Sequence, residues 1–67
     1  MKSKPVTVQY TQHFVNGHLE GIDYVATLSG VTKWSFAQFA AAHADPKNPV
    51  KSYGGSEYII TKWEVIS

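Results

Sequence analysis

The chain has 67 residues, no cysteine, six lysines with no arginine, and five acidic residues, for a formal net charge of +1. That balance excludes disulfides and thiolate metal sites. It also lacks the basic excess and the arginines of a dedicated nucleic-acid binder.

At 43% hydrophobic and 16% charged residues the composition is that of a globular chain. No apolar run approaches the roughly 20 residues needed to cross a bilayer. Met1-Lys2-Ser3-Lys4-Pro5 is basic, but no apolar signal-peptide core follows it. Cytoplasmic residence is therefore expected. One domain is expected over 1–67, frayed over 1–4. So small a domain buries only about 60% of its unfolded surface and usually needs a staple. Without cysteines, that staple must be good packing, oligomerisation or both.

From Val6 the chain alternates. Val6, Val8, Tyr10 and Phe14 share one face; Thr7, Gln9, Thr11 and His13 share the other. This is a half-buried strand, with Gln12 interrupting its apolar face. Asn16-Gly17 offers two residues that tolerate positive φ, and predicts a two-residue type I′ hairpin turn. The simplest register then pairs Val15 with His18 and Phe14 with Leu19. Continued strictly, it would leave Ile22, Tyr24, Ala26 and Leu28 facing outward. A bulge at Gly21 would shift the phase and bring those residues to the core face with Leu19. Glu20, Asp23 and Thr27 would then face solvent.

Ser29-Gly30 is expected to end the second strand and Thr32 to cap a helix. Lys33 to Ala44 is alanine-rich and carries Phe36, Phe39, Ala40 and His43 at i, i+3, i+4, i+7, a single buried stripe. Asp45-Pro46 stops it. Residues 45–55 form a long connection, of the length that is often functional. A last strand is expected from Glu57 to Ile66. Strict alternation puts Ile59, Thr61, Trp63 and Val65 on one face. Tyr58, Ile60, Lys62, Glu64 and Ile66 fall on the other. The predicted fold is α+β: a three-stranded antiparallel sheet with one helix on one face, in the order strand–strand–helix–strand.

No motif for catalysis emerges. His13, His18 and Glu20 lie near the hairpin tip, but an exposed tip explains them more simply than a metal site with ordered ligands. No serine or threonine stands beside a base–orienter pair. Ser52-Tyr53-Gly54-Gly55-Ser56 is glycine-rich between lysines, yet it leads into a strand and not into the helix N-terminus that a phosphate loop requires. No catalytic residue, cofactor or metal is expected. Aromatic and lysine side chains remain as candidates for contact with a partner: Trp34, Lys47, Lys51 and Tyr53, with Tyr58 and Ile60 on the presumed outer sheet face. Contiguous apolar surface on that face would mark an interface.

The order hairpin, Gly30, Val31-Thr32, helix with Phe36, long loop and strand, together with Tyr24, resembles the small phage-encoded inhibitors of uracil-DNA glycosylase. The resemblance spans most of the chain and rests mainly on topology. It implies a tiny protein that dimerises through its sheet and blocks an enzyme by binding it. The inhibitors of that family are acidic, as DNA mimics, whereas this chain is slightly basic. Where they carry a glutamate two residues after the tyrosine, this chain has Ala26. Where they carry a tyrosine four residues after the phenylalanine, it has Ala40. The inhibitory contacts therefore do not carry over. The expected function is that of a small non-enzymatic interaction protein, homodimeric, binding and inhibiting a host protein. The alternative is a nucleic-acid-binding accessory protein using Lys33, Lys47, Lys51 and Lys62 with Tyr53 and Trp34, since lysine-plus-aromatic surfaces hold single strands by stacking.

Overall fold

The computed structural model describes residues 4–67, with the side chain of Tyr53 excepted. The fraying expected over 1–4 therefore lies, but for Lys4, outside the described residues. The elements run β1 (Val6–Asn16), β2 (Asp23–Val31), α1 (Lys33–Ala42), β3 (Val50–Lys51), a 3-10 turn (Tyr53–Gly55) and β4 (Glu57–Val65). The fold is α+β, as expected, but the antiparallel sheet has four strands instead of three, in the spatial order β2-β1-β4-β3. The added strand is Val50–Lys51, inside the stretch expected to be a loop, where it pairs with Tyr58 and Glu57.

The core grows from β1. Val8 and Phe14 are buried and pack with Phe36 and Ala40 of α1 and with Tyr58 and Ile60 of β4. Aromatic rings tie the layers together. Phe36 lies 5.1 Å from Tyr10 and 5.2 Å from Trp63 between ring centroids, and Phe14 meets Tyr58 edge-on at 5.4 Å. These offset and tilted geometries are the favourable ones for aromatic pairs. The helix stripe is the predicted one: Phe36 and Ala40 are buried, while Phe39 and His43 are half-buried.

Thr32 caps α1 as expected, its Oγ1 accepting from the Ser35 backbone N–H at 3.1 Å. The helix ends at Ala42, two residues before the predicted end, because the chain that follows folds back as a cap. Asn48 Nδ2 donates to the Ala42 carbonyl at 2.8 Å, and His43 Nδ1 bonds the Asn48 carbonyl at 2.8 Å. The second bond requires the proton on Nδ1. These contacts satisfy end groups that a helix leaves unpaired.

Three sequence expectations are corrected. First, Asn16-Gly17 is not a type I′ turn. Asn16 is the last residue of β1, and no non-glycine residue has positive φ among those described. Its Nδ2 donates to Glu57 Oε1 at 2.8 Å, which holds this end of β1 on β4. The reversal occupies 17–22, with the Gly21 N–H donating to the Phe14 carbonyl at 2.9 Å and the Phe14 N–H to the Ile22 carbonyl at 3.0 Å. His13 therefore faces Asp23 and Tyr10 faces Ala26.

Second, the bulge in β2 falls at Gly30 instead of Gly21. Val6 pairs with Val31 and Thr7 with Ser29, leaving Gly30 (φ +79°) as the extra residue. Gly21 has its positive φ in the reversal. The parity of β2 is nonetheless the expected one: Tyr24, Ala26 and Leu28 share the helix-facing side with Tyr10 and Val8.

Third, β4 does not alternate strictly. Thr11 pairs with Lys62 and Gln12 with Ile60, so Thr61 is an extra residue that shifts the phase. Tyr58 and Ile60 consequently face α1, in line with Trp63 and Val65, and are 8% and 3% exposed. They are core residues, not members of an outer face. Gln12, which broke the apolar pattern of β1, is paired with Ile60 on that same side.

Candidate interaction surface

The sheet has two edges, and they differ. At one edge stands β3, two residues long, preceded by Pro49 and ending in Lys51. Shortness, proline and lysine are the usual means of preventing an edge from recruiting another strand. At the other edge stands β2, nine residues long, DYVATLSGV, with no proline and no lysine. Its one charge, Asp23, is paired across the strand with His13 at 2.5 Å.

Apart from half-buried Ala26 and from Val31, which packs against the core at its end, β2 is also uncovered on both faces. A helix is about 10–12 Å across and strands are about 4.8 Å apart, so one helix shields about two strands. Here α1 lies over β1 and β4, which supply the sheet's share of the core. Tyr24 on the helix-facing side is 59% exposed, and Val25 on the other side is 57% exposed. Leu28 and Ile22 are exposed as well.

The backbone of β2 follows from the hydrogen-bond phase. Phe14 directs its N–H and carbonyl to Ile22 and Gly21, just before β2, whereas Thr7 directs both of its groups to Ser67 and Ile66 on the β4 side. Even-numbered residues of β1 thus look toward β2 and odd-numbered ones toward β4. In an antiparallel ladder the partners follow the same alternation. Tyr24, Ala26 and Leu28 bond to β1; Asp23, Val25, Thr27 and Ser29 point their N–H and C=O groups away from the sheet.

The face opposite the helix is mixed: polar pairs stand beside Val25, which faces Thr11, and Ile59, which faces His13. Thr7 pairs with Ser29, their hydroxyls 3.1 Å apart, Gln9 with Thr27, and His13 with Asp23. On the β4 side Gln9 faces Glu64 and Thr11 faces Lys62. The polar pairs between β1 and β2 suit a solvated sheet surface, whereas Thr11 and Ile59 on the same face are buried.

The remaining predicted contact residues are dispersed. Trp34, in the first turn of α1, is 67% exposed. Lys47 and Lys51 are exposed at the far end of the helix, past its ten residues, or about 15 Å of axis. The Tyr53 side chain lies outside the described ones. Tyr58 and Ile60 are in the core. Lys33 stands beside Trp34, while Lys62 is on the polar sheet face, so the lysines do not form one stripe.

At the hairpin tip, His13 goes to Asp23 and His18 to Ser56, whose Oγ is 3.4 Å from His18 Nδ1. Ser56 is fully buried, and His18 also lies against Gly54. Among the described residues no three His, Cys, Asp or Glu side chains lie close enough to hold a metal ion. The Tyr58 phenol has its pKa raised above the ordinary tyrosine value by burial and by the neighbouring Tyr10, with the Gln12 side chain acting the other way. No helix among the described residues is long and apolar enough to cross a membrane.

No family model, curated protein or solved structure matches the chain. The site must be judged on its geometry. Tyr24 and Leu28, expected on the core face, are left uncovered by the fold together with Val25. Two signals for them stood in the sequence: a single ten-residue helix too narrow for the whole sheet, and a strand without lysine or proline.

Proposed function

We propose that this chain is a non-enzymatic interaction protein that binds a protein partner and inhibits it, acting as a homodimer joined through its sheet. The observation that carries this reading is the concentration of exposed apolar side chains in one stretch of chain. Five of the seven large exposed apolar side chains among the described residues, Ile22, Tyr24, Val25, Leu28 and Trp34, lie on β2, just before it, or in the helical turn after it; Val65 and Ile66 stand at the end of β4. Exposed apolar groups gathered in this way mark interaction sites, whereas single scattered ones do not. Tryptophan and tyrosine are the residues most often central to binding energy. The resemblance to glycosylase inhibitors supports a small protein that acts by binding; its target does not follow.

The test uses the immobilised protein in a lysate of the organism that encodes it, with captured proteins identified by mass spectrometry. The captured protein is then purified and titrated against wild type and Trp34→Ala. Saturable binding that weakens at least about tenfold in Trp34→Ala is expected for a central anchor. If no protein binds saturably, and oligonucleotides bind instead with affinity that falls steeply as salt rises, the nucleic-acid reading replaces this one.

A further inference from the structure

We infer that the β2 edge pairs with β2 of a second copy of this chain, in one register centred on Ala26, to give a continuous eight-stranded sheet. The inference rests on the homodimeric reading above and specifies its interface. The occupant is identified by self-complementarity. The outward-directed residues are Asp23, Val25, Thr27 and Ser29. Antiparallel pairing of two identical strands about a two-fold axis matches residues whose numbers have a constant sum. Only when that sum centres on Ala26 do all four outward residues meet outward residues: Asp23 opposite Ser29 of the other copy, and Val25 opposite Thr27. Every free N–H and carbonyl along 23–29 then finds a partner, which a buried or paired edge requires.

The side chains agree with this register. A two-fold axis normal to the sheet keeps the faces together, so Tyr24 of one copy lies opposite Leu28 of the other on the helix-facing side. That pairing places an aromatic against an aliphatic residue, a favourable cross-strand combination, and shields two of the exposed apolar groups at once. Ala26 faces its own symmetry mate at a non-hydrogen-bonded position, where Cα atoms approach to about 4.5 Å and a small side chain is suited. No like charges meet, because Asp23 faces Ser29. The Gly30 bulge, which would bend the edge away, falls just beyond the paired stretch.

The register dictates the test. The chain contains no cysteine, so Ala26→Cys introduces a single thiol. The separation of about 4.5 Å at that position lies in the range a disulfide spans. Mild oxidation is expected to yield a cross-linked dimer from Ala26→Cys and not from Ala41→Cys, an exposed helical control. In parallel, Val25→Lys/Thr27→Lys places lysine opposite lysine twice, and Val25→Lys/Thr27→Glu places lysine opposite glutamate twice. The first is expected to raise the dimer dissociation constant at least about tenfold and the second to preserve the dimer, both with unchanged circular dichroism. A wild-type dimer that neither double variant alters, or equal weakening by both, would overturn the register while leaving homodimerisation in place. A wild type that sediments as a monomer at micromolar concentration would overturn both.

Discussion

Replacing Gly17 with alanine tests how the hairpin tip is held to β4. Gly17 has φ +80°, and a Cβ built there stands 2.6 Å from the Ser56 Cα and 2.5 Å from its Oγ. Ser56 is fully buried and its carbonyl accepts from the Ser52 N–H at 2.8 Å, so it has little room to yield. A left-handed backbone at a residue with a Cβ costs about 1–2 kcal/mol. Forcing extra volume into a packed site adds about 1–3 kcal/mol. Gly17→Ala should therefore lose about 2–5 kcal/mol, a large part of the total for so small a domain.

Gly21 supplies the control. It has φ +86° but open space where a Cβ would go, so Gly21→Ala should lose only the backbone term, about 1–2 kcal/mol. Urea unfolding at one fixed protein concentration measures both, since a dimer's stability depends on concentration. With a slope of about 1 kcal/mol per molar urea for a small domain, the Gly17→Ala midpoint should fall about 1–3 M below that of Gly21→Ala. Equal midpoints would refute the close approach of Gly17 to Ser56 and restore an ordinary two-residue turn.

Further outcomes follow from the same structure. The raised Tyr58 pKa means that the unfolded chain gives up this proton first as pH rises, so the stabilisation is fully present below pH about 10 and is lost above it. Tyr58→Phe should flatten that alkaline decline in a thermal-melting series, and an unchanged decline would place its cause elsewhere. Thr32→Ala should cost about 1 kcal/mol by removing the N-cap, read as a lower urea midpoint. Asn48→Ala should cost about 1 kcal/mol by leaving the Ala42 carbonyl without its side-chain donor, read as a lower urea midpoint, while the downfield His43 Nδ1 proton persists by NMR because its acceptor is the Asn48 backbone carbonyl. Short oligonucleotides at low salt should show no saturable shift on native gels, because the lysines lie on separate faces.

Much of the architecture was legible in the sequence because it depended on local periodicity. The β1 alternation, the Thr32 cap and the Phe36–His43 stripe all follow from spacing within one element, and the structure has them. The turn, the bulges and the orientation of β4 depended on contacts between elements. Asn16 has the chemistry of a hairpin turn, but Glu57 and Ser56 compete for it across 40 or so residues of chain, a term that local turn preference does not contain. A single extra residue, Thr61, reverses the face of every residue beyond it, as any one-residue slip must. That slip moved Tyr58 and Ile60 from the expected contact surface into the core. What remained uncovered was decided by geometry: one helix over four strands leaves an edge strand bare.

Amide exchange along β2 of the wild-type protein tests the central claim most directly. Tyr24, Ala26 and Leu28 donate to β1 and should be protected in any case. If β2 pairs with a second copy, the Val25 and Thr27 amides should also exchange slowly, and their protection should fall on dilution. If both exchange at rates near those of an unstructured chain at every concentration, the β2 edge is open to water and the self-pairing account is wrong.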